Sequence, residues 1–297
     1  MIGVIGAGLI GQRLYNHLMS HGQAVKLLSR SIKADEALRK YRGDITRPET
    51  LDEFFEGVDT LVYTGHAGVP KTKESVAREE VKTNVIGALN VLEKIEQYSV
   101  RRLIYLSSGG AVYGIPESGF INERHTLDPI SPYGISKMVI EQFIKHHHRT
   151  VGTKTTILRP SNVVSDVFMS DGFGVVNRVL SCIRSQESFE VWGDGNGQKD
   201  YLSLGDMVLA IGHVLNNQSP EGFEVFNVAS GETLSVNEIV RVAQIGSGKQ
   251  ITVKYKGSVP QDVPSIVLDG TAFENAYNWT ARSKVVDMIQ CLATANC

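Results

Sequence analysis

The chain has 297 residues, a formal net charge of −2 and 42% apolar side chains. That length allows one large or two moderate domains, and the near-neutral charge offers no basic footprint for nucleic acid. The apolar runs are too short to cross a bilayer, and no basic region followed by an apolar stretch precedes the first strand, so no signal peptide is expected. Three cysteines, Cys182, Cys291 and Cys297, match neither a disulfide framework nor a metal spacing. The expectation is a cytoplasmic protein with free thiols, no metal, no membrane association and no nucleic-acid partner.

In chain order, Ile2-Gly3-Val4-Ile5 reads as a strand, Gly6-Ala7-Gly8-Leu9-Ile10-Gly11 as a glycine turn, and the amphipathic stretch to about Ser20 as a helix. In such a turn the first glycine permits a tight bend. The second lets the backbone approach a pyrophosphate at the helix N-terminus, and the third lets helix and strand pack closely. Because the turn directly follows an apolar strand, Gly6, Gly8, Leu9, Ile10 and Gly11 are candidate dinucleotide-binding residues. The plainer alternative is a strand turn with no ligand.

The second strand, 24–28, ends in Ser29-Arg30, where an NAD site usually carries an acid for the ribose 2′-hydroxyl. A hydroxyl and a cation there, with Lys33 close behind, suit a 2′-phosphate. The pattern favours NADP over NAD; in the alternative, Arg30 stacks on adenine or faces solvent. A further strand ends near Thr64-Gly65-His66-Ala67. Residues 83–98 read as a helix, with Val85, Leu89, Leu92 and Ile95 on a helical period. Strand 102–106 carries Ser107 at its C-terminal end, the edge at which open parallel sheets gather ligands.

Ser107-Ser108-Gly109-Gly110-Ala111-Val112-Tyr113-Gly114, followed by Ser131-Pro132-Tyr133-Gly134-Ile135-Ser136-Lys137, gathers a hydroxyl, a phenol and an ammonium. Tyr133 and Lys137 share a helix face. A lysine beside a phenol is expected to lower its pKa from about 10 toward neutral. Such a tyrosine can take a proton from an alcohol or return one to a carbonyl. Tyr133, Lys137 and Ser108 are therefore the candidate catalytic residues. The plainer reading of Ser107 or Ser108 is a strand-end hydroxyl bonded to backbone.

This helix runs to about His148, and strand 155–159 ends at Pro160-Ser161-Asn162. The alternation predicts an α/β fold, a doubly wound parallel (Rossmann) sheet. The character changes after Asn162, with an irregular stretch, a helix near 175–184 and a turn cluster at 192–197. Residues 1–162, with a return segment at about 201–230, are expected to form an NAD(P)-binding domain. Residues 163–200 and 231–297 are expected to form a smaller, mixed α/β substrate domain.

Several polar or aromatic residues have plain expectations. His146-His147-His148 point around a helix, so they read as a solvated helix end. His66 reads as structural, Asp206 as a cap of the helix that follows, and Trp192 as core. Asn177 and Arg178 read equally as ligand-facing or as helix surface.

Together these segments resemble the extended short-chain dehydrogenase/reductases that act on nucleotide sugars, the UDP-glucose 4-epimerase-like family. Matching pieces are Gly6 to Gly11, Gly43-Asp44-Ile45, Thr83-Asn84-Val85-Ile86-Gly87, Ser107 to Gly114, Tyr133 to Lys137 and Leu158 to Asn162. Gly193-Asp194-Gly195 through Lys199-Asp200-Tyr201, Phe226-Asn227-Val228 and Asp262-Val263-Pro264 complete them. The resemblance implies that Tyr133 is the acid/base and that Lys137 holds the nicotinamide ribose and tunes Tyr133. It implies that Asp44 and Ile45 contact adenine, that Asn84 lies near the cofactor, and that Asn162 bonds the substrate. Lys199 stands where the family usually has an arginine near the substrate phosphates. The implied chemistry is oxidation of a hexose at C4 to a ketone, or reduction of a ketone already there.

The chain departs from that family at four places. The glycine turn is one residue tighter, and the acid after the second strand is missing. Gly109 stands where a catalytic Ser or Thr is usual, which makes Ser108 the substitute. Val259 stands where an arginine is frequent, so with Lys199 the planar bidentate phosphate donors are lost. The leading expectation is a nucleotide-sugar 4-epimerase with NADP or NAD. The alternatives are an NADPH-dependent reductase of a nucleotide 4-keto-6-deoxy-sugar and an idle dinucleotide-binding sensor or scaffold. Pocket shape at 165–178 and 192–201 is expected to select the sugar. A homodimer is expected, through a bundle that includes the Tyr133 helix; Leu92, Ile95, Val139 and Phe143 serve either that interface or the core.

Overall fold

The structure is a computed structural model that describes residues 1–67, 77–116, 120–169, 174–217, 222–257 and 265–294. Two compact units divide it: Met1–Gly114 with Thr126–Arg159 and Ile211–Phe226, and Ile115–His125 with Pro160–Ala210 and Asn227–Cys297. The sequence reading assigned the short segment Ile115–His125 to the first domain; the chain places it with the second unit.

The chain begins β1 (Ile2–Ile5), α1 (Leu9–Ser20), β2 (Val25–Ser29), β3 (Lys40–Arg42), α2 (Asp52–Phe55) and β4 (Thr60–Tyr63). It continues with α3 (Ala77–Glu80), which runs through a π-helical segment, Val81–Ile86, into α4 (Gly87–Gln97). Then come β5 (Arg102–Leu106), α5 (Gly109–Val112), α6 (Pro132–Val151) and β6 (Lys154–Pro160). The later elements are β7 (Asn162–Val164), α7 (Val175–Ser185), β8 (Phe189–Trp192), β9 (Lys199–Ser203) and α8 (Leu204–Asn216). They are followed by β10 (Phe223–Val228), β11 (Thr233–Leu234), α9 (Val236–Ser247), β12 (Val253–Lys256), α10 (Thr271–Tyr277) and α11 (Val285–Ala293).

The main sheet has seven strands in the order β10-β6-β5-β4-β1-β2-β3. From β6 to β3 every pairing is parallel, for example Val4 opposite Leu27 on one side and Val62 on the other. Strands covered on both faces are apolar nearly throughout, and Leu103, Ile104, Tyr105 and Leu106 of β5 are all buried. Helices α2, α4 and α6 cover one face; Phe54, Phe55, Val91, Ile95, Ile140 and Ile144 pack there against Leu61, Leu103 and Ile157. The expected doubly wound parallel sheet is therefore present. Its strand order reverses between β1 and β4, the point at which ligands bind in open α/β sheets.

Helix α6 has a sharply specified start. Ser131 is extended, its hydroxyl accepts the Gly134 N–H at 3.1 Å, and Pro132 occupies the first turn. A side chain at Gly134 would run into the Ala111 carbonyl, so glycine is what lets α6 approach α5 closely. Tyr133 is thereby set in the first turn.

The second unit pairs β7 with β9 in parallel, β9 with β11 antiparallel, and β8 with β12 in parallel. Its core joins α7, α9 and α11 through Val179, Leu180, Ile183, Ile239, Val285 and Ile289. Helix α9 starts with a capping box between Ser235 and Glu238. Among the described residues, no helix is long and apolar enough to cross a membrane.

Candidate active site

The turn after β1 opens onto a cleft of about 190 Å³ lined by Gly6, Gly8, Ser29, Arg30, Ile45 and His66, among others. Gly6 has φ +102°, and a Cβ there would lie 2.6 Å from the Gly65 Cα. A Cβ on Gly11 would collide with the Gly6 carbonyl and lie 2.5 Å from the Thr64 Oγ1. A Cβ on Gly8 would meet nothing within 4 Å; it would fill open space in the cleft instead. Helix α1 starts at Leu9 with no side-chain cap. The N–H groups of Leu9, Ile10 and Gly11 are thus the unsatisfied donors of a helix start, beside the space that Gly8 keeps open. This donor set fits a pyrophosphate.

At the cleft's other end, Ser29 bonds weakly to Ser31 (3.4 Å), and the Arg30 side chain is exposed. Ile45 lines the cleft, whereas Asp44 Oδ1 accepts the N–H and hydroxyl of Thr46 at 3.0 and 2.9 Å. Asp44 thus builds the turn that presents Ile45. Asn84 is buried, with both ends of its amide engaged by Ala67: Nδ2 donates to its carbonyl at 2.6 Å, and Oδ1 accepts its N–H at 2.7 Å.

The reactive set lies in the first unit. Ser108 precedes α5, and its side chain favours ionisation of the nearby Tyr133 phenol. Gly109, without a hydroxyl, is the first residue of α5. One turn beyond Tyr133, the Lys137 ammonium donates to the Leu106 carbonyl at 2.6 Å, lying 4.8 Å from the Tyr105 ring centre and 6.0 Å from that of Tyr133. Desolvation pushes the Tyr133 phenol up to about 12; the neighbouring Ser108 opposes that shift, and the charge of Glu80 adds to it. Desolvation also pulls Lys137 down to about 7, against the favourable charges of Glu141 and Glu80. The expected lowering of Tyr133 toward neutrality is therefore corrected. Lys137 spends its strongest bond on a backbone carbonyl, and its own charge is weakened by burial.

Beneath them, Arg159 forms a two-pronged ion pair with Glu141 at 3.1 and 2.6 Å and donates to the Tyr113 hydroxyl at 2.9 Å. Burial of a charge requires such pairing.

One group of side chains escaped sequence reasoning. His66 Nε2 lies 3.1 Å from Glu80 Oε2, with the two side chains 7% and 3% exposed. Asn84 Nδ2 also donates to Glu80 Oε2, at 2.7 Å. The His66 ring packs edge-on against Tyr133 with centres 4.7 Å apart. The available signal was the Glu80–Asn84 spacing on one helix face; nothing local linked either residue to His66. Burial holds His66 down to about 4, so its imidazole is neutral at pH 7.

In the second unit, Asn162 on β7 donates to the Asp200 carbonyl at 3.0 Å, and Lys199 opens β9. Asp200 is fully buried, and its carboxylate accepts the N–H groups of Ser230 and Gly231 at 3.1 and 2.9 Å. Val259, the Asp262-Val263-Pro264 run and Cys297 lie outside the described residues, as do 170–173 of the expected specificity segment.

Several plain expectations are corrected. His147 is buried against Thr153 (3.2 Å) while His146 is exposed, so the solvated helix end holds only in part. Trp192 is 43% exposed, with the Lys256 ammonium over its ring. Ser203, not Asp206, stands at the start of α8; its hydroxyl accepts the Asp206 N–H, and the Asp206 carboxylate holds the N–H groups of Arg282 and Ser283. Asn177 is buried and Arg178 exposed. Leu92 and Ile95 belong to the core, whereas Phe143 is 38% exposed. Cys182 is a buried free thiol, but Cys291 is disulfide-bonded, against the expectation of free thiols. Among the described residues, no cluster of His, Cys, Asp and Glu could hold a metal ion.

Comparison with known proteins agrees with this geometry. The family model described as the NAD dependent epimerase/dehydratase family matches residues 2–229. A Methanocaldococcus jannaschii protein, provisionally assigned as a UDP-glucose 4-epimerase, is 30% identical over 271 residues, covering 89% of this chain and 88% of its own. UDP-glucose 4-epimerase of Bacillus subtilis is 26% identical over 321 residues, covering 95% and 92%. The crystal structure of Thermotoga maritima UDP-glucose 4-epimerase with UDP-glucose superposes with a TM-score of 0.90 at 26% identity, covering 98% of this chain and 97% of that one. The chain belongs to the NAD dependent epimerase/dehydratase family, a family of extended short-chain dehydrogenase/reductase enzymes.

Proposed function

We propose that the protein is a nucleotide-sugar 4-epimerase working through a 4-keto sugar. The observation that carries this reading is the placement of Tyr133 in the first turn of α6 with the buried Lys137 one turn on, in the same unit as a glycine cleft suited to a dinucleotide. The backbone of Gly6, Gly8, Leu9, Ile10 and Gly11 would hold the pyrophosphate, and Ser29, Arg30 and Ile45 the adenosine end. Asp44 and Asn84 shape the walls. Lys137 would bond the nicotinamide ribose. A bound nicotinamide would supply the acceptor and donor for the C4 hydride. Tyr133, in its ionised form, would accept the C4 hydroxyl proton as the ketone forms and return it as the alcohol is restored, and Ser108, which opposes the rise that burial imposes on the phenol, would hold the sugar oxygen. For a substrate of the kind bound by the Thermotoga maritima relative, Asn162 and Lys199 are the proposed contacts. We place the protein in the cytoplasm, where pools of activated sugars and nicotinamide cofactors lie. We propose a homodimer through α6, supported by the exposed Phe143 and Ile135 on that helix.

The test is to incubate the purified protein with UDP-glucose, follow formation of its C4 epimer, and identify the dinucleotide released on denaturation. Retained NAD with interconversion supports the epimerase. Dependence on added NADPH, with reduction of a nucleotide 4-keto-sugar and no interconversion, overturns it in favour of the reductase that Ser29-Arg30 suggests. Tyr133→Phe should lower kcat by roughly 10²–10⁴-fold while dinucleotide affinity is kept.

A further inference from the structure

The proposed mechanism leaves one buried polar chain unused. Asn84 is locked onto the backbone of Ala67 and bonds Glu80; Glu80 bonds His66; His66 packs against Tyr133. Glu80 ends α3, and Asn84 lies in the π-helical segment that follows. Such segments re-aim side chains and recur at functional sites.

The pairing decides what the two imidazole nitrogens do. A carboxylate only accepts hydrogen bonds, so the neutral His66 ring carries its proton on Nε2 and donates it to Glu80. Nδ1 then keeps a bare lone pair. Among the described residues no hydrogen bond engages Nδ1, and His66 lines the dinucleotide cleft beside Thr64 and Gly65. A carboxylate that sets a histidine tautomer and ring orientation is a recurrent way of presenting the other nitrogen to a ligand.

We propose that His66 is a further binding group of the reactive site: Glu80 fixes its tautomer so that Nδ1 accepts a hydrogen bond from a sugar hydroxyl lying against Tyr133. The donor chemistry is shared by two sources, the ribose of the dinucleotide and the hexose of the substrate. The inference rests on the reading of Tyr133 as the reactive group. Asn84 is the positioning residue of the set: it orients Glu80 and ties it to the backbone next to His66.

Three variants test it. His66→Phe keeps the edge-on ring contact and removes the acceptor. His66→Asn puts an amide oxygen near the place of Nδ1. Glu80→Gln leaves the ring in place but offers a donor, so His66 can carry its proton on Nδ1 instead and lose the acceptor. The dissociation constant for NAD, by fluorescence titration, and the KM for UDP-glucose at saturating NAD are measured for each, with circular dichroism as the fold check. H66F and E80Q should weaken one of these constants by about tenfold, the order of one lost hydrogen bond, with H66N close to wild type. A change in NAD affinity assigns the hydroxyl to the ribose, and a change in KM assigns it to the hexose. If H66F and E80Q leave both constants unchanged while Y133F is inactive, the proposal falls and the reading of the site stands. Full turnover by Y133F overturns the reading of the site and the proposal with it. If H66F fails to fold, E80Q against H66N decides alone.

Discussion

Gly8 and Gly11 lie in the same turn, yet alanine at the two places should do opposite things. At Gly8 the backbone is extended, with φ −73° and ψ −170°, a conformation open to alanine. The new methyl would meet no protein atom within 4 Å. Reduced freedom of the unfolded chain favours the variant by about 0.4–1 kcal/mol, and loss of a tolerated glycine cap costs a similar amount. Stability should therefore stay within about 1 kcal/mol of wild type. The methyl would stand where the pyrophosphate is proposed to lie, and NAD affinity should drop by at least about tenfold, or ~1.4 kcal/mol. At Gly11 the methyl would strike the Gly6 carbonyl and crowd the Thr64 hydroxyl. Overpacking of this kind costs about 1–3 kcal/mol, more when backbone must move, and each kcal/mol lowers Tm by roughly 2–4 °C in a chain of this class. Thermal unfolding without ligand, together with NAD titration, separates the two effects. If Gly8→Ala bound NAD like wild type, the cleft would not be the pyrophosphate site. If it lost as much stability as Gly11→Ala, the division of roles between the two glycines would be wrong.

Other perturbations test the surroundings of Tyr133. Ser131→Ala removes the cap of α6 and should cost about 1 kcal/mol, read by denaturant unfolding. Glu141→Ala strands the buried Arg159 and should cost roughly 3–5 kcal/mol, whereas Arg101→Ala, which breaks the exposed pair with Asp59, should cost less than about 1 kcal/mol. Lys137 binds its proton less tightly when folded than when unfolded, with a folded value near 7. Between about pH 7 and 10 the unfolded chain holds more protons at this site, so this residue's contribution to stability improves as pH rises. Unfolding curves of Lys137→Met and wild type across that range should show the difference moving in favour of wild type; a constant difference would refute the depressed value.

Much of the fold was readable because its determinants are local. The bend at Gly6 needs a positive φ, and Gly11 needs the absence of a side chain next to a carbonyl; both requirements appear as glycines at fixed spacing. Apolar runs such as Leu103 to Leu106 announce strands covered on both faces. Where the π-helical segment interrupts the predicted helix, the apolar period of Val85, Leu92 and Ile95 is still consistent with burial, so periodicity alone did not register the change. Trp192 and His147 were misplaced for a related reason: hydrophobicity and adjacency do not say which face of an element finds a partner.

The sequence by itself determined the parallel α/β sheet, the glycine cleft and the pairing of Tyr133 with Lys137 on one helix face. Each follows from backbone sterics and side-chain periodicity acting over a few residues. Only the tertiary structure decided that burial raises the Tyr133 phenol, that Lys137 turns to the Leu106 carbonyl, and that His66, Glu80 and Asn84 form one buried chain. Desolvation and hydrogen-bond partnership depend on which distant segments share the interior, and no short window of sequence contains that information.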